Sequence, residues 1–319
     1  MKVTFWGTRG SLPAPLNAAE FRSKTKYLFQ HARPADCTGE IALDAFLDRT
    51  PLPHAMTFGG NTPCVEISNG NDFLILDCGS GIRGLGRDIM DRSLAPGTRI
   101  HIFQTHTHWD HIMGFPLFAP ALSGRFEIHI HGVHPNLRKR FEEQMDRIHF
   151  PIILDEMKSP VEFHQLESDG EYTIGPFRIG NIGLHHPGGS YAYRVSAAGK
   201  SVVFATDGEY NNRTSHVLDP YMEFYRGADM LIFDSMYATL EQLVEKMNYG
   251  HSTAVIGVDL ALAAGVKTLV LFHHDPECDD VQIADSFFRA LEYLKSRKDE
   301  FPSYDLTLIP SYDGMGIEV

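Results

Sequence analysis

Short apolar runs recur along the chain, and most of them end in a polar residue. The alternation in KVTFW predicts a strand over 2–6, and the runs PCVEIS, DFLILD and RIHIFQ predict three further strands. Beyond residue 228 the pattern alternates between strand and helix, which is typical of layered α/β proteins. The other predicted elements are strands over 126–131, 176–184, 190–196, 200–206, 228–233 and 266–272, and helices over 80–92, 110–118, 252–264 and 279–297.

One segment, at about 11–57, departs from this pattern. It is rich in Pro and Ala, and only the stretch near 40–49 has a helical pattern. We interpret it as an insertion within a single domain that spans 1–319. With 319 residues, of which 43% are hydrophobic, the chain is long enough to bury a sizeable core.

Charge and cysteine content restrict the functional classes. Asp and Glu number 41 and Lys and Arg 28, which gives a formal charge of −13 and disfavours a nucleic acid as a partner. The four cysteines show neither CxxC spacing nor the density of a disulfide scaffold, and the chain start lacks the apolar stretch of a signal peptide. No apolar run is long enough to span a membrane. We therefore expect a cytoplasmic, reduced protein with no membrane partner.

A glycine motif follows the strand DFLILD. The sequence GSGIRG at 79–84 fits the dinucleotide pattern GxGxxG. However, the next strand ends in Gln104 and a histidine cluster, where a ribose-binding Asp or Glu would be required. We interpret the glycines as a tight turn from strand to helix and expect no nucleotide cofactor.

The stretch THTHWDHIMG at 105–114 contains four residues of types that bind metal ions. His106 and His108 are two residues apart at the end of a strand, so their side chains leave on the same face, and Asp110 and His111 follow at once. Neutral imidazole and carboxylate groups suit zinc or a similar first-row ion. The pattern therefore predicts a metal site.

Other predicted strands also end in ligand-type residues. In an open α/β sheet, functional groups collect beyond the carboxyl ends of the strands. The helix over 252–264 is antiparallel to the strand that follows it. The residue before the helix, His251, therefore lies at the same sheet edge as the end of that strand. These patterns do not choose between the two members of each adjacent histidine pair. The further candidates are His185 or His186, Asp207, His251, and His273 or His274.

These landmarks resemble the metallo-β-lactamase superfamily. The motifs on which the resemblance rests are THTHWDH, HHPGGSYAYRV, VVFATDGE, YGHSTA and LVLFHHDP, together with TFWGTRGSLP, GGNTPC and LDCGSGIR. They are similar to the branch that contains ribonuclease Z and cyclic-nucleotide phosphodiesterases. The resemblance covers nearly the whole chain apart from the insertion, and it implies a four-layer αββα fold with two metals at the sheet edge.

The resemblance also implies a ligand set. His186 is preferred over His185 because it directly precedes the PGGS turn, and His273 over His274 because it directly follows the apolar strand. The cofactors would be two divalent ions, zinc by preference, with Mn²⁺ and Fe²⁺ as alternatives. Asp77 and Asp234 would accept hydrogen bonds from ligand imidazoles. One ion would be held by His106, His108 and His186, the other by Asp110, His111 and His273, with Asp207 bridging them.

This ligand set implies a metal-dependent hydrolase. Asp110 and His251 would be catalytic, with His251 as the proton donor to the leaving group at a helix N-terminus that also favours phosphate. We expect a small phosphodiester substrate, such as a cyclic nucleotide. The alternative is a ribonuclease Z-like tRNA 3′ endonuclease, and a lactam or thioester hydrolase is third. The sequence does not determine whether the protein forms a homodimer.

Overall fold

The computed structural model describes residues 1–210, 214–302 and 305–319, except for the side chains of residues 215 and 216. Within these ranges the strands form two sheets of seven strands each. In chain order the strands are β1 Lys2–Gly7, β2 Cys64–Asn69, β3 Asp72–Leu76, β4 Thr98–Phe103, β5 Phe126–Gly132, β6 Val161–Gln165, β7 Glu171–Ile174, β8 Phe177–Leu184, β9 Ser190–Ala197, β10 Lys200–Ala205, β11 Met230–Asp234, β12 Thr268–Phe272, β13 Thr307–Pro310 and β14 Gly316–Glu318.

Helices cover the outer faces of both sheets. The described helices are α1 Ala18–His31, α2 Glu40–Arg49, α3 Leu52–Ala55, α4 Ile82–Asp91, α5 Trp109–Ile112, α6 Ala119–Ser123, α7 Leu137–Gln144, α8 Ser215–Tyr225, α9 Leu240–Glu245, α10 Ala254–Ala264 and α11 Asp280–Ser296. Helices α4, α6 and α7 pack on the first sheet, whereas α8, α10 and α11 pack on the second.

The main core lies between the sheets. Phe5 and Phe103 from the first sheet pack with Phe204 and Phe272 from the second, and all four are fully buried. Because a helical layer also covers each outer face, the central strands are apolar on both faces, as in the wholly buried β11. The four-layer αββα fold expected from the resemblance is confirmed.

The strand order places the candidate ligand residues at one edge of the two sheets. The first sheet has the order β14-β1-β2-β3-β4-β5-β6, and the second has the order β13-β12-β11-β10-β9-β8-β7. Strands β3, β4 and β5 are mutually parallel, as are β10, β11 and β12. In the second sheet Asp234 pairs with Phe272, so the residues that follow these two strands emerge side by side.

One predicted helix is wrong. The expected helix over 110–118 is only the single turn α5, followed by a 3₁₀ turn at Phe115–Leu117. Gly114 lies between the two turns, where an added Cβ would come within 2.0 Å of the Gly79 carbonyl oxygen. Pro116 also removes a backbone donor, so a continuous helix cannot form. This break leaves the ligand residues on a short, tightly packed turn.

The segment between β1 and β2 forms helices α1, α2 and α3. Sequence patterning missed α1 because none of its residues is buried, and an apolar face is what such patterning detects. The elements β6, β7, β13, β14, α6, α7, α8, α9 and α3 were also not predicted. Lys24 of α1 anchors the segment, since its Nζ lies 2.7 Å from Asp280 Oδ2 at the start of α11.

Candidate metal centre

The site forms where strands of both sheets end. Asp77 follows β3, Asp207 lies two residues after β10, and His273 follows β12. All three have left-handed backbones, with φ of 59°, 57° and 62°. Such conformations are uncommon for residues with side chains and concentrate at functional sites. The sharp turn at each strand end directs these side chains toward one buried cluster instead of continuing the sheet.

Three histidines form the first group of ligand atoms. His108 Nδ1 and His186 Nε2 lie 3.0 Å apart, and the three ligand atoms of His106, His108 and His186 all lie within 4.8 Å of one another. Asp207 Oδ1 lies 3.8 Å from both His106 Nε2 and His186 Nε2. The ligand atoms of a tetrahedral ion with bonds of about 2.0–2.2 Å are about 3.3–3.6 Å apart, so small side-chain shifts would bring this group to the spacing of a metal site.

The second group is more regular. His111 Nε2 lies 3.3 Å from Asp110 Oδ2 and 3.2 Å from Asp207 Oδ2. His273 Nε2 lies 3.2 Å from Asp110 Oδ2 and 3.3 Å from Asp207 Oδ2. These four distances agree with the edges of a tetrahedron around a zinc-sized ion. Asp207 turns one carboxylate oxygen toward each group, which is the arrangement of a bridging ligand.

The electrostatics of the cluster suit a cation. Burial raises the pKa of Asp110 and Asp207, but the neighbouring imidazoles outweigh burial and hold both pKa values well below the usual range. Burial lowers the pKa of His106, which keeps that imidazole neutral. Nε2 of His106 and Nε2 of His111 are buried and lack a hydrogen-bond partner among the described residues. A divalent ion would satisfy both nitrogens, so the donor set fits the metal that the resemblance implies.

Surrounding groups fix the ligand rings. His111 Nδ1 donates to Asp77 Oδ2 at 2.7 Å. His106 Nδ1 donates at 3.1 Å to the hydroxyl of Thr105, which in turn donates to Asp77. His186 Nδ1 donates to the Gly250 carbonyl at 2.9 Å. Sequence reasoning missed the last two contacts, since nothing in the sequence shows which hydroxyl or carbonyl lies behind a ligand.

Asp234 accepts from a histidine outside the expected ligand set, whereas the resemblance implied a contact with a ligand imidazole. Its Oδ2 is 3.7 Å from His273 Nδ1, which is beyond hydrogen-bond distance, but accepts from His251 Nδ1 at 2.8 Å. The ring of His251 stacks on that of His273 with centroids 5.0 Å apart. His251 therefore stands beside the ligand cluster and is oriented by Asp234. Its Nδ1 lies 3.8 Å from Asp207 Oδ1.

The two members of each adjacent histidine pair have different surroundings. His186 is buried in the cluster, whereas His185 is exposed. His273 faces Asp110, whereas His274 donates from Nε2 to the Ser311 carbonyl at 2.9 Å on the other side of the strand. Burial lowers the pKa of His274 to about 4, as expected for a neutral structural imidazole.

The loop after β1 closes the second ligand group. The backbone N–H of Ser11 donates to Asp110 Oδ2 at 2.7 Å. At Gly10, a Cβ would come within 2.4 Å of the His273 ring. The TRGS stretch therefore needs a glycine at this position, and it contributes a backbone donor that sequence reasoning did not identify.

The fold and this donor set define a metal-dependent hydrolase. A family model described as "Beta-lactamase superfamily domain" matches residues 73–274, which include all seven expected ligands. The chain belongs to this superfamily, in its metallo-β-lactamase branch, so the resemblance found in the sequence is confirmed.

Individual relatives are distant. The chain is 23% identical over 269 residues to a ribonuclease Z from Picrophilus torridus, with 70% of this chain and 84% of the relative covered. Human tRNase Z, short form, has a similar fold, with a TM-score of 0.60, 20% identity and coverage of 100% and 99% of the two chains. A diphosphatase of the PhnP family also has a TM-score of 0.60, with 16% identity and coverage of 100% and 97%.

Membrane association through a spanning helix finds no support in the described ranges. Within them, no helix combines the length and the apolar character that crossing a bilayer requires.

Proposed function

We propose that this protein hydrolyses phosphodiesters with two divalent metal ions, zinc by preference. His106, His108 and His186 would hold one ion, and Asp110, His111 and His273 the other, with Asp207 between them. The support is the ligand spacing around Asp207, whose two oxygens face separate groups. When bound, the ions supply an activated water and neutralise charge that develops on the phosphate.

The observation that carries the proposal is the His251–Asp234 pair beside Asp207. A leaving alkoxide needs a proton, and His251 is the histidine next to the cluster that belongs to neither ligand group. Because Nδ1 donates to Asp234 at 2.8 Å, Nε2 is the nitrogen available to give a proton to the leaving oxygen. The buried carboxylate of Asp234 also fixes the orientation of the ring, as in other His–Asp pairs.

A small substrate is favoured by charge and by a surface groove at Trp109, the residue between His108 and Asp110 in the chain. The groove is lined by residues that include Thr107, Trp109, Arg140 and His149, and by none of the proposed metal ligands. Trp109 is 75% exposed, so its ring is free to stack on a planar group such as a base, and Arg140 offers a positive charge. The net charge of −13 disfavours a long polyanion.

The second candidate is a ribonuclease Z-like activity on tRNA. The observation that favours it is the name of the curated relatives, of which the Picrophilus torridus protein is one. These names count against the expectation from charge that nucleic acid is disfavoured as a partner. No feature of the described residues specifically favours the third candidate, a lactam or thioester hydrolase.

A substrate panel tests the choice. Protein reconstituted with Zn²⁺ or Mn²⁺ is assayed on cyclic nucleotides, bis-p-nitrophenyl phosphate and precursor tRNA, at low and at physiological salt. We expect turnover of small diesters, with kcat/KM changing little with salt because few phosphates are neutralised. Efficient cleavage of precursor tRNA with a steep salt dependence would favour the second candidate, and turnover of none of these substrates would contradict both.

Leaving-group dependence tests the role of His251. We expect His251→Ala to lower kcat by on the order of 10² to 10⁴ for an alkoxide leaving group and much less for p-nitrophenolate, which needs no proton. Metal content should be unchanged. His185→Ala is the matched control, since His185 is an exposed histidine at the same sheet edge. Equal losses on both substrates would contradict proton donation, and loss of metal would make His251 a ligand.

A further inference from the structure

Four histidines form a second cluster outside the metal centre. In the first sheet, His101 on β4 pairs with His129 on β5, and His131 on β5 pairs with His164 on β6. Their rings lie on one face of the sheet, and neighbouring centroids are 4.5–5.2 Å apart. We call these four residues the histidine ladder. Because β6 is the edge strand, the ladder runs from the core to the rim of the sheet.

The outer end of the ladder has the geometry of a metal site. His129 Nδ1 lies 2.9 Å from His164 Nε2 and 3.5 Å from Glu162 Oε2. The third side of this triangle, from His164 Nε2 to Glu162 Oε2, is 3.8 Å. The mean separation is close to the roughly 3.3–3.6 Å between ligands of a tetrahedral zinc-sized ion. The distances match those around Asp207, although the three residues belong to neither ligand group there.

Burial and charge also fit a bound cation. The side chain of His129 is only 8% exposed, whereas those of His164 and Glu162 are 38% and 62% exposed. An ion would therefore have one preformed ligand and two that can adjust, with room for water in a fourth position. Burial lowers the pKa of His129, which favours the neutral ring, and a metal would replace the hydrogen bond that its Nδ1 forms with His164 Nε2.

The second nitrogen of His129 has a carboxylate nearby. His129 Nε2 is buried without a hydrogen-bond partner among the described residues, and Glu127 Oε2 lies 3.7 Å from it. Metal-bound histidines usually donate their other N–H to a carboxylate or carbonyl. Glu127 is partly exposed, so a small side-chain rotation would make that bond.

We propose that His129, His164 and Glu162 bind a divalent transition-metal ion, Zn²⁺ by donor type, at a site separate from the catalytic centre. Two imidazoles and one carboxylate are a donor set that zinc accepts, whereas Mg²⁺ and Ca²⁺ prefer oxygen alone. The ion would tie the edge strand β6 to β5, which would stabilise this edge and block it from pairing with another chain. The proposal does not depend on the proposed function.

The direct test is metal stoichiometry. Protein whose catalytic centre is already loaded with Zn²⁺ is dialysed against further Zn²⁺, and bound metal is measured by elemental analysis. We expect the double variant Glu162→Gln/His164→Gln to hold one ion per chain fewer than the wild type. His31→Gln is the control, since His31 is an exposed histidine outside the cluster. Repeating the comparison in an Asp207→Ala background should preserve the difference of one, which separates this site from the catalytic centre.

Two further measurements distinguish a site from weak surface binding. Cu²⁺ added as a probe should give an electron paramagnetic resonance spectrum with coupling to two imidazole nitrogens, lost in the double variant. In protein whose catalytic centre is already loaded, further Zn²⁺ at about a hundredfold excess over the dissociation constant of the new site should raise Tm by roughly 3–5 °C in the wild type and not in the double variant. Equal stoichiometry in the wild type and the double variant would overturn the proposal, as would a Tm shift equal in both.

Discussion

Gly250 offers a sharp test of how the first ligand group is built. This residue has φ of +88°, and its carbonyl accepts the Nδ1–H bond that orients His186. A Cβ added at Gly250 would lie 2.0 Å from His186 Nδ1 and 2.5 Å from Pro187 Cδ. We expect Gly250→Ala to displace the His186 ring and to remove metal from the first group.

The structure sets the size of the effect. An ordinary contact is about 3.4 Å or more, so the His186 ring would have to move by more than about 1 Å, far beyond the roughly 0.2 Å tolerance of a metal–ligand bond. Loss of an orienting hydrogen bond alone costs about 10–100-fold in metal affinity, and the clash adds to this. We therefore expect at least a hundredfold weaker binding of one ion, while the ion held by Asp110, His111 and His273 stays bound.

Backbone strain must be separated from the clash. An alanine in a left-handed conformation costs about 1–2 kcal/mol wherever it occurs. Gly199 is the matched control, since its φ is +74° and an added Cβ there meets nothing within 4 Å. Metal affinity is measured by competition with a chromophoric chelator, and folding by circular dichroism. If Gly250→Ala and Gly199→Ala bind metal with the same affinity, the role assigned to the Gly250 carbonyl is wrong.

Three further predictions concern the site and the core. Asp77→Asn should weaken metal binding by about 10–100-fold, because it loses the charge that orients His111, while thermal unfolding followed by circular dichroism shows the fold intact. In the metal-free protein burial lowers the pKa of His273, but Asp207 and Asp110 raise it to about 9. Asp110 and Asp207 outweigh burial at His111 too and raise its pKa well above the usual range, so metal binding must displace a proton from both rings and affinity should rise with pH above 7. Calorimetry in buffers of different ionisation enthalpy that detects no proton release at pH 7 would contradict this. Phe204→Ala, between the sheets, should lower the free energy of unfolding in urea by about 3–5 kcal/mol, whereas Phe29→Ala, 81% exposed, should change it by less than about 0.5 kcal/mol.

Local patterns were enough to predict a layered α/β architecture and to place most of the histidine and aspartate cluster at one sheet edge, whereas the four-layer fold was implied by the resemblance. Buried parallel strands need apolar residues on both faces, so runs such as ADMLIF and VKTLVLF are visible without a structure. The polar residues directly after these strands then lie at one sheet edge, which made the HxHxDH stretch, Asp207 and a histidine after β12 predictable. Short edge strands such as β13 and β14, and the exposed helix α1, carry too few buried residues to give such a signal.

Only the tertiary structure decided which of several similar side chains and backbone groups contact one another. Asp234 contacts His251 and not His273 because the stacking of two rings, and the left-handed turn at His273, set distances that differ by about an ångström. The carbonyl of Gly250 and the amide of Ser11 are backbone groups, which every residue has, so no sequence pattern marks them. The histidine ladder depends on the register of three strands far apart in the chain, and a shift of one residue would turn its rings to the other face of the sheet.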